Sequence, residues 1–155
     1  MAFETERKFL VIRERWEQQP KTAGIRIKQG YLSDNEMGTV RLRIMDDLAF
    51  ITIKGRSSGP TRAEFEFPIP YPEALSLLEQ ISPPAVEKTR FRIPFAGKTW
   101  EVDVFEGANA GLVIAEIELP SEEEPFEKPG FAGEEVTADP RYSNSFLSRN
   151  PFLLW

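Results

Sequence analysis

Hydrophobic and polar residues alternate one by one along most of this chain. Residues 3–11, FETERKFLV, carry Glu4, Glu6 and Lys8 at every second position. Alternation with a period of two is typical of a β-strand whose two faces meet different surroundings. The pattern recurs in seven later segments: IRIKQGYL (25–32), VRLRIM (40–45), FITIKG (50–55), TRAEFEFPI (61–69), VEKTRFRIPF (86–95), WEVDVF (100–105) and LVIAEIELP (112–120). The sequence therefore predicts about eight strands.

Turn-forming residues separate these strands. Gly, Ser, Asn and Pro cluster in SDNEMG (33–38), GRSSGP (55–60) and AGK (96–98). Such clusters between alternating segments are typical of hairpin connections. We therefore expect neighbouring strands to run antiparallel.

Two segments have the spacing and the flanking residues of helices. Residues 71–81, YPEALSLLEQI, place a proline in the first turn and repeat leucine and alanine at helical spacing. Residues 138–151, ADPRYSNSFLSRNP, begin with Asp139 as a candidate N-cap and Pro140 as the first helical residue. The acidic, proline-containing segment 121–135 is predicted to form a short helix or an exposed loop.

The polar faces of the strands carry almost only charged residues, and these are sorted by sign. Bases occupy four of the segments, namely Arg26, Lys28, Arg41, Arg43, Lys54, Lys88, Arg90 and Arg92. Acids occupy three others, namely Glu4, Glu6, Glu101, Asp103, Glu116 and Glu118. The solvent-facing side of an open antiparallel sheet accounts for any single strand of this kind. The complete set fits that explanation less well, because a solvated face usually mixes in Ser, Thr and Gln.

A closed sheet is the second interpretation of the charged faces. About eight strands can close into a barrel, which removes the exposed edges of long strands. With the charged faces inside, the barrel becomes a water-filled tunnel lined by both signs of charge. Clustered cations favour a polyanion and clustered carboxylates favour a hard cation. Phosphate chains and divalent metal ions would both suit this interior.

Composition narrows the chemistry further. The chain has 155 residues, 41% hydrophobic and 28% charged, which suits a single domain over residues 1–155. It has no cysteine and no histidine, so a metal ion would be held by oxygen ligands. The net charge of -6 argues against nucleic acid or a membrane surface as partner. No apolar segment approaches the roughly 20 residues of a membrane span and no signal-peptide core is visible, so we expect a cytoplasmic protein.

Nine segments of the chain together resemble one known family. The opening FETERKFLV is similar to the Glu-x-Glu-x-Lys signature of the CYTH superfamily, the triphosphate tunnel metalloenzymes. The resemblance continues in order through KQGYL, VRLR, TIKG, EFEFPI, VEKTRFRI, EVDVFEG, AEIELP and VTADPRYSN. It implies an α+β fold, in which a closed antiparallel eight-stranded β-barrel has a charged interior, helices packed outside and a C-terminal plug helix.

The resemblance also implies roles for individual residues. The implied ligands of Mg²⁺ or Mn²⁺ are Glu4, Glu6, Glu116 and Glu118. Because each pair points to one face of its strand, we expect these two strands to face each other across the barrel around the metal site. The implied triphosphate-binding residues on the strands are Lys8, Lys28, Arg41, Arg43, Lys54, Lys88 and Arg90. Arg141 on the plug helix is implied to bind triphosphate as well, and Tyr142 and Asn144 are implied to seat it. The implied catalytic residues are Lys8, Glu6, Arg41, Arg43 and Arg141. The implied tunnel supports, which orient the bases, are Glu64, Glu66 and Asp103; Arg26, Arg62, Arg92 and Glu101 share the periodicity with less family support.

Three functions remain open on the sequence. Short bacterial members of the family resemble inorganic triphosphatases, which favours metal-dependent hydrolysis of inorganic triphosphate. A nucleoside triphosphatase, an adenylyl cyclase or a thiamine triphosphatase would need an aromatic platform, for which the candidates are Phe105, Phe126, Phe131 and Tyr142. A third function is a module that binds polyphosphate or a nucleotide without hydrolysis. The sequence does not choose the water-activating group, the metal or the oligomeric state, for which a homodimer is one option.

Overall fold

A computed structural model describes residues 2–56, 61–80 and 84–155 of the chain. Of residues 2–4 it describes the backbone alone. Three short α-helices lie among the strands: α1 Arg13–Gln18, α2 Tyr71–Gln80 and α3 Asn144–Arg149. Within this described part, no helix is both long and apolar enough to cross a bilayer.

The strands form one sheet that closes on itself. Their bounds are β1 Ala2–Val11, β2 Ile25–Asn35, β3 Gly38–Met45, β4 Leu48–Lys54, β5 Thr61–Pro68, β6 Val86–Phe95, β7 Lys98–Phe105, β8 Val113–Leu119 and β9 Ala132–Glu135. The hydrogen-bonded order is β5-β4-β3-β2-β6-β7-β8-β1, and β1 returns to β5 to complete a ring of eight. All the pairs of this ring are antiparallel. The ring and its antiparallel pairing together confirm the predicted closed antiparallel sheet.

Strand β1 completes the ring because its two halves have different neighbours. Its first residues, Ala2 to Thr5, pair with β5, whereas Thr5 to Leu10 pair with β8. The short strand β9 pairs with the end of β1, beyond the reach of β5. Strand β1 therefore closes the ring by joining β5, near residue 62, to β8, near residue 117.

Two of the predicted hairpin turns connect the expected strands. At the β6–β7 turn, Ala96 and Gly97 both adopt positive φ angles, 50° and 78°. This geometry suits the tight two-residue turns that match the twist of antiparallel strands. The segment 33–38 likewise joins β2 to β3. Of the third predicted turn, GRSSGP, residues 57–60 lie outside the described residues.

The apolar faces of the strands point away from the ring, and helices and loops cover most of them, whereas Phe65 and Phe67 on the outer face of β5 are exposed. Trp100 and Phe9 are buried in one cluster with Trp16 of α1. Leu42 of β3 packs with Leu78 of α2 in a second cluster. Burial of a large apolar side chain contributes about 1.5–3 kcal/mol. Packing on the outside thus leaves the charged faces to line the inside.

The helix predictions need two corrections. The predicted C-terminal helix over 138–151 is split, because Ser143 stays extended with φ -74° and ψ 145° and its hydroxyl accepts from the Phe146 N–H. Asp139 caps only a preceding 3-10 turn, Pro140–Tyr142. Helix α1 lies in a segment for which the sequence analysis predicted no helix. The helix predicted for 71–81 is confirmed to Gln80, and Ile81 lies outside the described residues.

The segment 121–135 also differs from its prediction as a short helix or exposed loop. Its last four residues form β9, which pairs with β1. Phe131 is buried and Phe126 packs beside it against the cluster around Trp100. The acidic composition predicted exposure, but these two aromatic rings anchor the segment to the core. A ninth strand therefore accompanies the eight of the ring.

Candidate active site

The ring encloses a charged cavity of about 670 Å³. Nine bases line it, namely Lys8, Arg41, Arg43, Lys54, Arg62, Lys88, Arg90, Arg92 and Lys98. Six acids line it, namely Glu6, Glu64, Glu66, Glu101, Glu116 and Glu118. The prediction that charged strand faces point inward is therefore confirmed for most of the residues in it. The surplus of positive charge favours an anion in the cavity.

Strand β3 contributes two buried arginines. Arg43 donates from Nε to Oε1 of Gln29 at 2.8 Å, and Arg41 donates from Nη2 to Oγ1 of Thr52 at 3.2 Å. The Nε atom of Arg41 is buried and has no partner among the described residues. Burial, helped by Arg41 and Arg90, lowers the pKa of Arg43 to about 10. Both cations would gain from an anionic ligand, since neither is fully neutralised here.

Lys88 and Arg90 share one buried carboxylate, that of Asp103. The Lys88 Nζ atom lies 2.7 Å from Oδ2 of Asp103, and Arg90 forms two hydrogen bonds to the same group at 2.8 and 3.0 Å. Burial lowers the pKa of Lys88 to about 7. The positive charges of Arg90 and Arg43 also lower this pKa, whereas the carboxylate of Asp103 raises it. Burial would raise the pKa of Asp103, but the two bases hold it well below its usual range. Asp103 therefore contacts both bases from behind the cavity wall and does not itself line the tunnel as the resemblance implied.

Glu6, Lys8, Glu116 and Glu118 lie side by side on two neighbouring strands. In the β1–β8 pairing, Glu6 is opposite Glu118 and Lys8 is opposite Glu116. The prediction that these two strands face each other across the barrel is thus wrong, because hydrogen bonds join them edge to edge. The Lys8 Nζ atom lies 3.4 Å from Oε1 of Glu6 and 3.9 Å from Oε1 of Glu116. All four residues form one patch of the cavity wall.

The environments of Glu6 and Glu116 differ although they share Lys8. Burial raises the pKa of Glu6, but Lys8 and Lys54 outweigh it and bring the value down to about 2. Burial and the nearby Glu6 carboxylate raise the pKa of Glu116. The charged form of Glu116 is therefore less favourable than that of Glu6.

The carboxylate patch fits a divalent cation by its donor chemistry. Oxygen ligands are the ones that Mg²⁺ and Mn²⁺ prefer. A cation beside Glu116 would offset both the burial and the repulsion by Glu6 that raise its pKa. Among the described residues no three acids already converge as a formed metal cluster. The side chain of Glu4, the fourth predicted ligand, lies outside the described residues.

The remaining predicted supports pair with cavity bases. Glu64 lies 4.0 Å from Lys54, measured from Oε2 to Nζ. Glu66 accepts from the Thr52 hydroxyl at 3.0 Å, and its carboxylate is 4.0 Å from Arg41. These distances agree with the role in orienting bases that the sequence predicted.

Strand β2 presents the opposite face from the one that was predicted. Ile27 and Gln29 pair with Met45 and Arg43, both on cavity-facing positions of β3, so Lys28 points outward. Lys28 is half-exposed and lies 3.9 Å from Glu87. The structure therefore contradicts the placement of Lys28 in the phosphate site. Arg26 is exposed as well and pairs with Glu106.

Arg141, which the resemblance implied for phosphate binding, is not part of the cavity wall formed by the described residues. It lies in the 3-10 turn, half-exposed, and forms an ion pair with Asp139 at 2.8 Å. The α3 segment reaches the cavity with other residues instead: Ser143, Asn144 and Ser145. The resemblance implied Asn144 only as a residue that seats the plug helix, and Ser143 and Ser145 were not predicted because they carry no charge; Ser143, a good N-cap residue before an apolar turn, was the available signal.

Aromatic rings are scarce at the cavity. Tyr31 is the one aromatic residue that lines it in the described part of the chain, and its hydroxyl is hydrogen-bonded to Gln29 Nε2 at 2.7 Å. Phe126 and Phe131 pack in the cluster around Trp100, and Phe105 packs in the one around Leu147. These three are therefore core residues, and none forms the aromatic platform that an organic triphosphate would need.

Comparison with known proteins agrees with this geometry. The CYTH domain model matches residues 2–145. An inorganic triphosphatase of Acetivibrio thermocellus is 46% identical over 98% of this chain and 97% of its own length. An inorganic triphosphatase of Nitrosomonas europaea is 35% identical over 94% and 96%. The crystal structure of the inorganic triphosphatase NE1496 superposes with a TM-score of 0.66 at 33% identity, covering 93% of this chain and 96% of that one. The chain therefore belongs to the CYTH domain family.

Proposed function

We propose that this protein hydrolyses inorganic triphosphate with the help of Mg²⁺ or Mn²⁺. The observation that carries the proposal is the cavity itself, in which nine bases surround one carboxylate patch. The bases match a chain of phosphates and the carboxylates match a divalent cation. Both related proteins are named inorganic triphosphatase, which supports the same substrate.

The basic residues of this chain would bind and orient the substrate. Arg41 and Arg43 supply forked donors that grip phosphate oxygens in pairs, and Lys54 supplies a point charge. Arg90, held by Asp103, keeps a fixed direction. Lys8 keeps Glu6 and Glu116 close together by attracting both. Together these groups would hold the scissile bond beside the carboxylate patch.

Glu6, Glu116 and Glu118 would hold the metal ion. Triphosphatases of this family are generally metal-dependent. When bound, a divalent ion withdraws charge from phosphate oxygens and lowers the pKa of bound water. Glu118 faces Glu6 on the neighbouring strand, so two carboxylates from different strands border the same position.

The scarcity of aromatic residues favours inorganic over organic triphosphate. A nucleotide or thiamine base gains affinity by stacking on a ring. Tyr31 is the single aromatic residue at the cavity among those the structure describes, and it is buried with 8% exposed. Apart from Met45, the other residues that line the cavity are polar, which suits a substrate made of phosphate alone.

Phosphate release tests the proposal directly. The purified protein would be assayed with tripolyphosphate, ATP and thiamine triphosphate, each with Mg²⁺, Mn²⁺ or a chelator. We expect release from tripolyphosphate to be fastest, to need the metal and to be lost in Arg41→Ala. A preference for ATP or thiamine triphosphate would contradict the substrate. Binding of tripolyphosphate without any release would instead support the binding-module alternative.

A further inference from the structure

Asn144 of α3 lies at the cavity and contacts the buried lysine. Its Oδ1 atom accepts a hydrogen bond from Nζ of Lys88 at 2.9 Å. Its side chain is half-buried and lines the cavity. Lys88 is fully buried and is held from the other side by Asp103. The lysine therefore presents a fixed donor to Asn144.

This contact determines which way the amide of Asn144 faces. A protonated lysine has three donors and no acceptor, so only the amide oxygen can turn toward it. The amide nitrogen, Nδ2, must then face away from Lys88. Nδ2 has no hydrogen-bond partner among the described residues. It is also not among the buried polar atoms that lack a partner there, so it is accessible. Two N–H groups thus remain for a ligand in the cavity.

The backbone around Asn144 is itself well anchored. Ser143 caps α3 through its hydroxyl, which accepts from Phe146 N–H at 3.2 Å. Leu147, one turn further on, is buried among Val86, Phe105 and Leu112. Asn144 is therefore held by its own helix as well as by Lys88, as a preorganised binding group requires.

We propose that Asn144 binds the substrate, its Nδ2 amide donating to a phosphate oxygen while Lys88 fixes the orientation of the amide. The inference rests on the proposed triphosphatase function and adds a neutral donor from the C-terminal helix to the cations of the ring. Such a donor grips phosphate oxygen without adding charge. It replaces, on the C-terminal segment, the role predicted for Arg141.

Two substitutions separate the donor role of Asn144 from its contact with Lys88. Asn144→Asp keeps an oxygen that can accept from Lys88 but removes the N–H donors. Asn144→Ala removes both the acceptor and the donors. Asn150→Ala is the matched control, since Asn150 is an exposed asparagine at the other end of the same helix. Thermal melts would show that each variant is folded.

Calorimetric titration with tripolyphosphate, without divalent metal, measures binding in the absence of turnover. We expect Kd to rise roughly tenfold or more in both Asn144 variants, the loss typical of a hydrogen bond to a charged group. Asn150→Ala should bind like the parent protein. A rise in Asn144→Ala alone would overturn the proposal in favour of simple anchoring. A rise in Asn144→Asp alone would overturn it in favour of charge repulsion.

The same titration keeps this inference distinct from the proposed function. If the parent protein binds tripolyphosphate but releases no phosphate, hydrolysis fails and the Asn144 contact is still tested by the Kd values. If the parent protein releases phosphate and both Asn144 variants bind as the parent does, the contact fails and hydrolysis stands.

Discussion

At the residue scale, the most unusual group is the buried trio of Lys88, Arg90 and Asp103. Two cations share one carboxylate there, and Arg43 adds a further positive charge nearby. The local excess of positive charge, together with burial, makes it harder for Lys88 to keep its proton. In the free protein this excess of positive charge is unfavourable. An anion that enters the cavity would offset it and would therefore bind more favourably.

The first prediction follows from the pKa of Lys88, lowered to about 7 by burial. Between that value and its unfolded value near 10.4, the unfolded chain binds more protons than the folded one, so stability should rise with pH. Lys88→Met removes this contribution, so its free energy of unfolding should rise less over the same interval. Urea denaturation at about pH 6.5, 8 and 9.5 would measure it. Parallel pH dependences in the two proteins would contradict the lowered pKa.

The second prediction concerns the geometry of Arg41. Its buried Nε has no partner in the described part of the chain, so an incoming phosphate can take it. Arg41→Lys keeps the charge but loses the planar fork, and we expect kcat/KM for tripolyphosphate to fall by roughly tenfold or more. Arg26→Lys, on the outer face of β2, is the control and should match the parent. An Arg41→Lys enzyme of undiminished kcat/KM would show that charge alone suffices.

At the element scale, the pairing of β1 with β8 decides where the carboxylates meet. Because Glu6 is opposite Glu118, a slip of one residue in either strand would send one of them outside. The geometry of the proposed metal site therefore depends on the hydrogen-bond register between these strands. Register, rather than any loop, positions its ligands.

The third prediction tests this assignment through Glu118→Gln. The substitution keeps the shape and removes one charge, so the metal concentration for half-maximal activity should rise by roughly tenfold, as for loss of one charged contact. Glu134→Gln changes an exposed acid on β9 and serves as the control. Activity would be titrated against Mg²⁺ and Mn²⁺. Overlapping titration curves for parent and Glu118→Gln would reject Glu118 as a ligand.

Strand β2 shows where sequence reasoning succeeds and where it stops. Alternation predicted the strand, but it fits a cavity face made of Arg26 and Lys28 as well as one made of Gln29 and Tyr31. Pairing with Arg43 on β3 and Lys88 on β6 selects the second face. Such pairing depends on partners distant in the chain, so local pattern cannot supply it. The strands whose charged face was assigned correctly have strongly apolar opposite faces, which helices or loops cover except on β5, where Phe65 and Phe67 are exposed.

The C-terminal segment shows a different limit. The family resemblance pointed to Arg141, but Arg141 forms an ion pair with Asp139, two residues earlier in the chain. The residue that reaches Lys88 is the uncharged Asn144. Charge alone identifies the cations of the tunnel, and it left Asn144 with only the seating role that the resemblance implied, without its contact to Lys88.

At the scale of the whole molecule, positive charge is concentrated inside and negative charge outside. The chain has 19 bases and 25 acids, of which nine bases and six acids line the cavity, leaving ten bases and 19 acids elsewhere. An acidic exterior disfavours nucleic acid and anionic membranes, as proposed from the net charge.

The fourth prediction follows from repulsion among the cavity bases. Tripolyphosphate binds only the folded cavity and should raise the melting temperature more than orthophosphate at equal concentration, since it neutralises more of these charges. At a concentration about 100 times Kd the stabilisation is about 2.7 kcal/mol. Thermal melts with each anion, at matched ionic strength, make the comparison. Equal shifts for the two anions would show that the effect is general anion binding.

Strand β1 has one further consequence, for the order of folding. It is synthesised before the other strands of the ring, yet it pairs with β5 more than 50 residues later and with β8 about 110 residues later. Contacts so distant in sequence are slow to form. Because the β1–β8 pairing spans more of the chain than the β2–β6 pairing does, we expect β1 to join the sheet last, as the closing strand. Since β1 carries Glu6 and Lys8, the carboxylate patch would then be completed only when the ring closes.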